Sequence, residues 1–384
     1  MSANVFEQIE AALAKGGPAG ALDCLATELR SEKKYHELFE AMKMQVRLRL
    51  GLPLLYGDSA DDLSEEQRNK LEDGLIDACR QVGLMLLNDG RVREGWMYMR
   101  PVGDRKAAAA AIAKVEPDEE NMEELVDVCL RERVDVRRGF SLVLENFGTC
   151  NAITTFEGEV SRMPSPEQQL AADMLVRHLY KELMENLKTD IGRQEGAVPS
   201  ETTLKGLVAD RPWLFQELSY HVDTTHLSSV TRFARLLRDP APIALALDMT
   251  EYGRRLHPQF QYEGEPPFQE FYPSHALYFE AVLGQNIDAA LAYFQQKAEA
   301  CNPHAEGTAP IEVYIDLLTR TGRHAEAIDA AIRLMPEGNS NSNFAPSLIE
   351  LSQKADNYQP MLTHCRARND LLGFTAALVK ATRA

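Results

Sequence analysis

The chain has 384 residues, 45% of them hydrophobic and 26% charged, with a formal net charge of −17 from 41 basic and 58 acidic side chains. That is enough apolar material for a sizeable core, in two domains or one extended repeat array, and it argues against wholesale disorder. The acidic balance disfavours nucleic acid and anionic membrane as partners, because phosphate binding needs clustered Lys and Arg.

Helical periodicity begins at once. Phe6, Ile9 and Leu13 recur at three and four residues, Gly16-Gly17-Pro18 ends that helix, and 21–29 starts another. Residues 1–15 have no apolar signal-peptide core, and no apolar run reaches the roughly 20 residues that a bilayer span needs. The six cysteines, at 24, 79, 129, 150, 301 and 365, form no Cys-x-x-Cys pair. Their wide spacing points to reduced thiols, and the expected address is the cytoplasm. Residues 35–50 form a third helix, closed by Gly51-Leu52-Pro53. Acidic runs at 58–73 and 116–124 read as solvated helix starts and loops. Strand-like alternation is scarce along the whole chain, so the expected class is all-α.

The helices fall into short pairs. Residues 71–87 are followed by Asn88-Asp89-Gly90 and then 91–100; 122–131 precedes 136–147; 314–320 leads through Thr321-Gly322 into 324–334, which stops at Pro336. In the last pair, Gly322 is followed by Glu326, Ala327 and Ile328, with Tyr314 and Leu318 on the preceding helix. That unit resembles a tetratricopeptide repeat (TPR). Gly284 with Ala289-Ala290-Leu291, and Gly90 with Glu94-Gly95, are weaker matches. Glycine permits the tight turn between helices, and small Ala residues let them approach closely. The resemblance covers about a quarter of the chain. It implies a degenerate TPR-like α-solenoid of antiparallel helix pairs, whose concave face in that family binds peptides.

Pro-rich seams divide the chain. Met163-Pro164-Ser165-Pro166 is one, with Ser165 as cap of a helix over 167–187, and 192–200 reads as a linker. The expected organisation is an N-terminal helical region 1–160, a central segment 161–275 and C-terminal helix pairs 276–384. The stretch 261–273 holds Tyr262, Pro266, Pro267, Phe268, Tyr272 and Pro273, and is expected to fold over a central groove as a rim or lid. Residues 339–343 form a polar loop before the last three helices.

Four of the nine histidines lie between 221 and 275. A helix ending near Tyr220 and another capped by Asp223 or Thr224 would place His221 and His226 on either side of a sharp turn, with the Asp223 carboxylate between them. His275, after the expected cap Ser274, would also stand at a helix start. Three imidazoles with an open position form the pattern of a catalytic metal site. The expected ligands are therefore His221, His226 and His275, holding zinc, manganese, iron or nickel. Asp223, Tyr252 and Glu270 are the candidate catalytic groups, with Asp248 a spare carboxylate. Trp96, Tyr98 and Arg100 form a candidate aromatic and cationic patch for a sugar or carboxylate substrate. The competing reading is structural: Asp223 caps a helix, His221 bonds a helix-end carbonyl, His226 is half-buried, Tyr252 is packed, and Trp96 belongs to a core helix.

Other chemistry finds little footing. Cys150 lacks the surroundings of a cysteine hydrolase, 192–196 lacks the Gly-Lys-Ser/Thr end of a phosphate loop, and no Gly-x-Ser-x-Gly elbow occurs. Three readings remain. The favoured one is a metal-dependent hydrolase, lyase or isomerase acting on a small polar substrate. The second is a TPR-like scaffold that binds a protein or peptide, which predicts evenly repeated Asn, Lys and Arg that the sequence lacks. The third is a helical subunit of a larger assembly.

Overall fold

A computed structural model describes residues 4–55, 63–336 and 344–382. The expected loop 339–343, and Asp58, Asp61 and Asp62 of the first acidic run, lie outside the described residues. Among the described residues every regular element is a helix. The only β-type pairing among the described residues is an isolated antiparallel bridge between Glu263 and Glu270. No described helix is long and apolar enough to cross a membrane. The chain divides into two compact units, Met1–Gly148 and Thr149–Ala384.

The first unit contains α1 (Val5–Ser31), α2 (Tyr35–Arg49), α3 (Glu65–Asn88), α4 (Val92–Val102), α5 (Arg105–Ile112) and α6 (Met122–Val126), which runs into a π-helical turn, Asp127–Arg131. α7 (Val136–Gly158) is interrupted at Gly148, whose φ of 81° breaks the helix where the units divide. The expected break at Gly16-Gly17-Pro18 is a kink inside α1, with Gly17 at φ 63°. Ser64 and Gln67 form a reciprocal capping box that starts α3. Leu38, Ala41, Ala78, Val82 and Leu86 bury the facing sides of α2 and α3 in one cluster.

The second unit continues from α7 through a 3-10 turn, Val160–Arg162, into α8 (Ser165–Glu195), α9 (Leu204–Val208), α10 (Thr224–Phe233), α11 (Pro240–Gly253), α12 (Phe271–Val282), α13 (Ile287–Ala300), α14 (Pro303–Glu306), α15 (Ala309–Arg320), α16 (His324–Leu334), α17 (Leu348–Lys354), α18 (Gln359–Ala367) and α19 (Leu371–Ala381). α8 extends past the expected end at 187 and stops at Gly196, a left-handed C-cap. The pair expected around Gly322 is found as α15 and α16.

One turn geometry recurs. Gly51, Gly90, Gly284 and Gly322, at φ 67°, 82°, 83° and 78°, end α2, α3, α12 and α15. In each, the glycine N–H donates to the carbonyl three residues back, and the next N–H to the carbonyl five back: Gly322 to Thr319 and Arg323 to Leu318, at 3.2 and 2.8 Å. That pair of bonds satisfies helix-end carbonyls and reverses the chain. The same two bonds close α1, α17 and α18 around Lys33, Asp356 and Asn369, at φ 56°, 49° and 56°. A side chain at Gly322 would meet nothing within 4 Å, so the cost of Gly322→Ala is all backbone. That variant is expected to lose about 1–2 kcal/mol, the cost of a left-handed alanine, measured as a lower denaturation midpoint of the unit.

Candidate functional site

The central segment is built around a hydrogen-bonded chain in the second unit. A 3-10 turn, Pro212–Phe215, is followed by irregular backbone in which Glu217 and Leu218 take φ 51° and 65°, in place of the helix expected up to Tyr220. This delivers His221 edgewise to Tyr252 on α11. The His221 N–H donates to the Tyr252 hydroxyl at 2.9 Å, and the hydroxyl lies 3.0 Å from Nδ1. Nε2 lies 3.3 Å from Asp190 Oδ2 on α8. A carboxylate only accepts, so Nε2 carries the proton and Tyr252 donates its O–H to Nδ1. Asn186, one turn before Asp190, donates to the His221 carbonyl at 2.7 Å. Burial lowers the proton affinity of His221, and Asp190 opposes the shift. Burial likewise pushes the Tyr252 hydroxyl well up, with the His221 N–H opposing. Tyr252 is thus a packed phenol held in a saturated chain.

Asp223 is the N-cap of α10. Its Oδ1 accepts from the Thr225 hydroxyl at 2.6 Å, the Thr225 N–H at 2.8 Å and the His226 N–H at 3.2 Å. Those bonds, the hydroxyl first, hold the carboxyl below its usual range. The expected cap is present, and His226 stands half-buried in the first turn.

His275 lies elsewhere. Its helix starts at Phe271, not after Ser274, because Pro273 falls in the first turn, where a missing N–H leaves nothing unsatisfied. His275 is therefore in the second turn and fully buried. Its ring stacks on Phe268 at 4.1 Å and leans on Phe271 at 4.4 Å. Nδ1 donates to the Phe271 carbonyl at 2.7 Å, while Nε2 is buried without a partner. Burial, and the nearby Arg235, depress its proton affinity well below normal.

Among the described residues no three His, Cys, Asp or Glu side chains are grouped as metal ligands, so His221, His226 and His275 do not meet as expected. Each has a local reason to be where it is: the Tyr252–Asp190 chain, the first turn of α10, and an aromatic cage. The stretch 261–273 also differs from the expected rim. Phe268 is buried and packs against His275, Tyr278 and Phe294, so its end plugs the core instead of covering a groove. Glu270 takes the exposed N-cap position of α12. Asp248 is half-buried, its carboxyl raised by desolvation, with Tyr180 O–H donating at 3.4 Å.

Trp96, Tyr98 and Arg100 do not form one platform. Trp96 is buried in the first unit. Tyr98 packs edge-on to Phe39 and donates to His36 Nδ1 at 2.9 Å, while His36 Nε2 donates to Glu94 at 2.6 Å. Arg100 is exposed and pairs with Glu132 at 3.3 Å.

No protein-family model, curated protein or solved structure matches this chain.

A second polar cluster went unread in the sequence. Asp316 on α15 is 1% exposed and accepts from the Tyr278 hydroxyl at 2.6 Å and from Arg238 at 3.2 Å. Arg320 lies one turn on, 3.9 Å from the carboxylate, and donates to the Arg235 and Leu237 carbonyls and to Tyr278. The i, i+4 spacing of Asp316 and Arg320 on an apolar helix was the one local signal available. All six cysteines are free thiols. Cys129 is buried, which pushes its thiol up to about 12.

Proposed function

We propose that the chain is a helical-hairpin scaffold that binds another protein, in the manner of TPR-like arrays. The observation that carries this reading is the turn geometry shared by seven helix ends, four with glycine and three without. Repeated hairpins give repeated outer faces, and such arrays use those faces for partners. The last helix supports it further. Leu371, Leu372, Leu378 and Val379 of α19 are 74%, 83%, 46% and 46% exposed, whereas Ala377 and Phe374 on its other side pack into the core of the last hairpins. The exposed four fall on one side of a helix, and an apolar face of this kind is where partners dock.

A photo-crosslinking amino acid at Leu372 is expected to give one discrete adduct in cells. The same probe at exposed Glu72 is expected to give none. The captured protein should co-purify with the unmodified chain and be lost from Leu378→Glu. Identical products from both positions would count against the scaffold. The metal-dependent enzyme reading makes the opposite expectation. Near-stoichiometric zinc, manganese, iron or nickel in protein purified without an affinity tag would put it first.

A further inference from the structure

A cavity of about 630 Å³ in the second unit lies between the start of α8 and α17. Phe344 and Pro346 form an apolar side; Ser165, Arg238, Lys354 and Glu350 form a polar one. Its size is within the range of small-molecule sites. Glu350 is engaged in its own helix cap, where Oε2 accepts the Ser347 N–H at 2.8 Å and hydroxyl at 2.6 Å. Lys354 is exposed and has no carboxylate within ion-pair distance among the described residues. Arg238 shares Asp316 with Tyr278 and Arg320.

A further cation stands behind Phe344. The Arg235 guanidinium lies over two rings, 4.7 Å from the centre of Phe268 and 5.7 Å from that of Phe344. Its Nε–H donates to the Arg232 carbonyl at 3.0 Å, and among the described residues no carboxylate reaches it. Protein packed around it strips away water and pulls its pKa down to about 10. The cavity wall itself carries Arg238 and Lys354 against the single carboxylate of Glu350, with Arg235 behind Phe344 and Asp316 behind Arg238. The wall is thus positive by one charge in a chain whose net charge is −17, and a cleft lined by one sign of charge draws the opposite one. Such an imbalance at a concave, half-apolar surface marks a place for an anion.

We propose that this cavity binds an organic anion, a carboxylate or phosphate on an apolar body, with the head group toward Arg238 and Lys354 and the body against Phe344 and Pro346. This site does not depend on the scaffold reading. Arginine and lysine supply charge-assisted donors to either head group.

Full-length protein titrated with benzoate, phenyl phosphate, benzyl alcohol and benzylamine, by calorimetry and by methyl shifts at Ala345 and Leu351, tests the site. Benzoate or phenyl phosphate should bind one-to-one and at least tenfold tighter than benzyl alcohol; the tighter of the two names the head group. Benzylamine should not bind. Inorganic phosphate should bind more weakly than phenyl phosphate, since it leaves the apolar side unused. Lys354→Glu should weaken the anion at least tenfold without moving the melting temperature. Lys354→Met serves as a second variant if the reversed charge disturbs α17. Benzyl alcohol binding as tightly as benzoate, or an anion affinity unchanged in a folded Lys354 variant, would overturn the proposal.

Discussion

Asp316→Ala is expected to destabilise the Thr149–Ala384 unit by about 3–5 kcal/mol, the usual loss when one partner of a buried ion pair is removed. Asp316 is 1% exposed and is the acceptor for Tyr278 at 2.6 Å and for Arg238 at 3.2 Å. Removing it leaves Arg320, itself only 8% exposed, facing a phenol and two carbonyls with no anion nearby. Asp316→Asn keeps the shape and one oxygen, so the Tyr278 bond survives; its loss should be smaller, within the ~1–3 kcal/mol of a weakened buried hydrogen bond. Arg238→Met should lose least, about 0–1 kcal/mol, because that side chain is 44% exposed and water replaces much of what it gives. The order is the test. Calorimetric unfolding of the three variants in which Arg238→Met matched Asp316→Ala would show that Asp316 is not the hub.

The cluster also shows where reading the sequence stops. Arg238 and Asp316 are 78 residues apart, and His221 and Asp190 are 31 apart. No local pattern reports such pairings, because they exist only once helices have packed. Turns were easier. Gly90, Gly284 and Gly322 are legible because glycine alone enters the left-handed region without strain. Lys33, Asp356 and Asn369 make the same turn and were missed. Asp and Asn enter that region through local side-chain bonds, and nothing in the lysine hints at it. The cap at Asp223 was legible from residue type, since its oxygens reach the first amides of the helix that follows. His275 was misplaced for an equally local reason. Pro273 was read as a boundary, whereas a first-turn proline is compatible with a helix already under way. Moving the helix start from Ser274 to Phe271 carries His275 from an exposed end into the core.

That burial makes His275 a source of acid sensitivity. In the folded chain its Nδ1–H is bonded to Phe271, its Nε2 is sealed without a partner, and Arg235 and Arg232 add positive charge nearby. Desolvation, the largest of these effects, keeps the folded ring neutral well below the ordinary value of 6.5. In the unfolded chain the ring takes up its proton near that ordinary value. Below it the unfolded state holds more protons than the folded one, so stability falls as pH falls and recovers as pH rises. His221 shifts in the same direction, with Asp190 opposing it. For a folded pKa far below the window, the loss from His275 between pH 7 and pH 5 is about 2 kcal/mol, from the ~1.4 kcal/mol per pH unit of one linked proton. His275→Phe removes the titration and keeps an aromatic ring between Phe268 and Phe271. The Phe271 carbonyl retains its backbone partner one turn on. The variant should therefore match the parent protein near pH 7 and exceed it by about 2 kcal/mol at pH 5, with carboxylate titrations common to both. Urea unfolding at a series of pH values reads the difference directly. Parallel curves for the two proteins from pH 7 to pH 5 would mean that the buried imidazole titrates in the fold as it does in the unfolded chain, and the aromatic cage would then need a counter-ion.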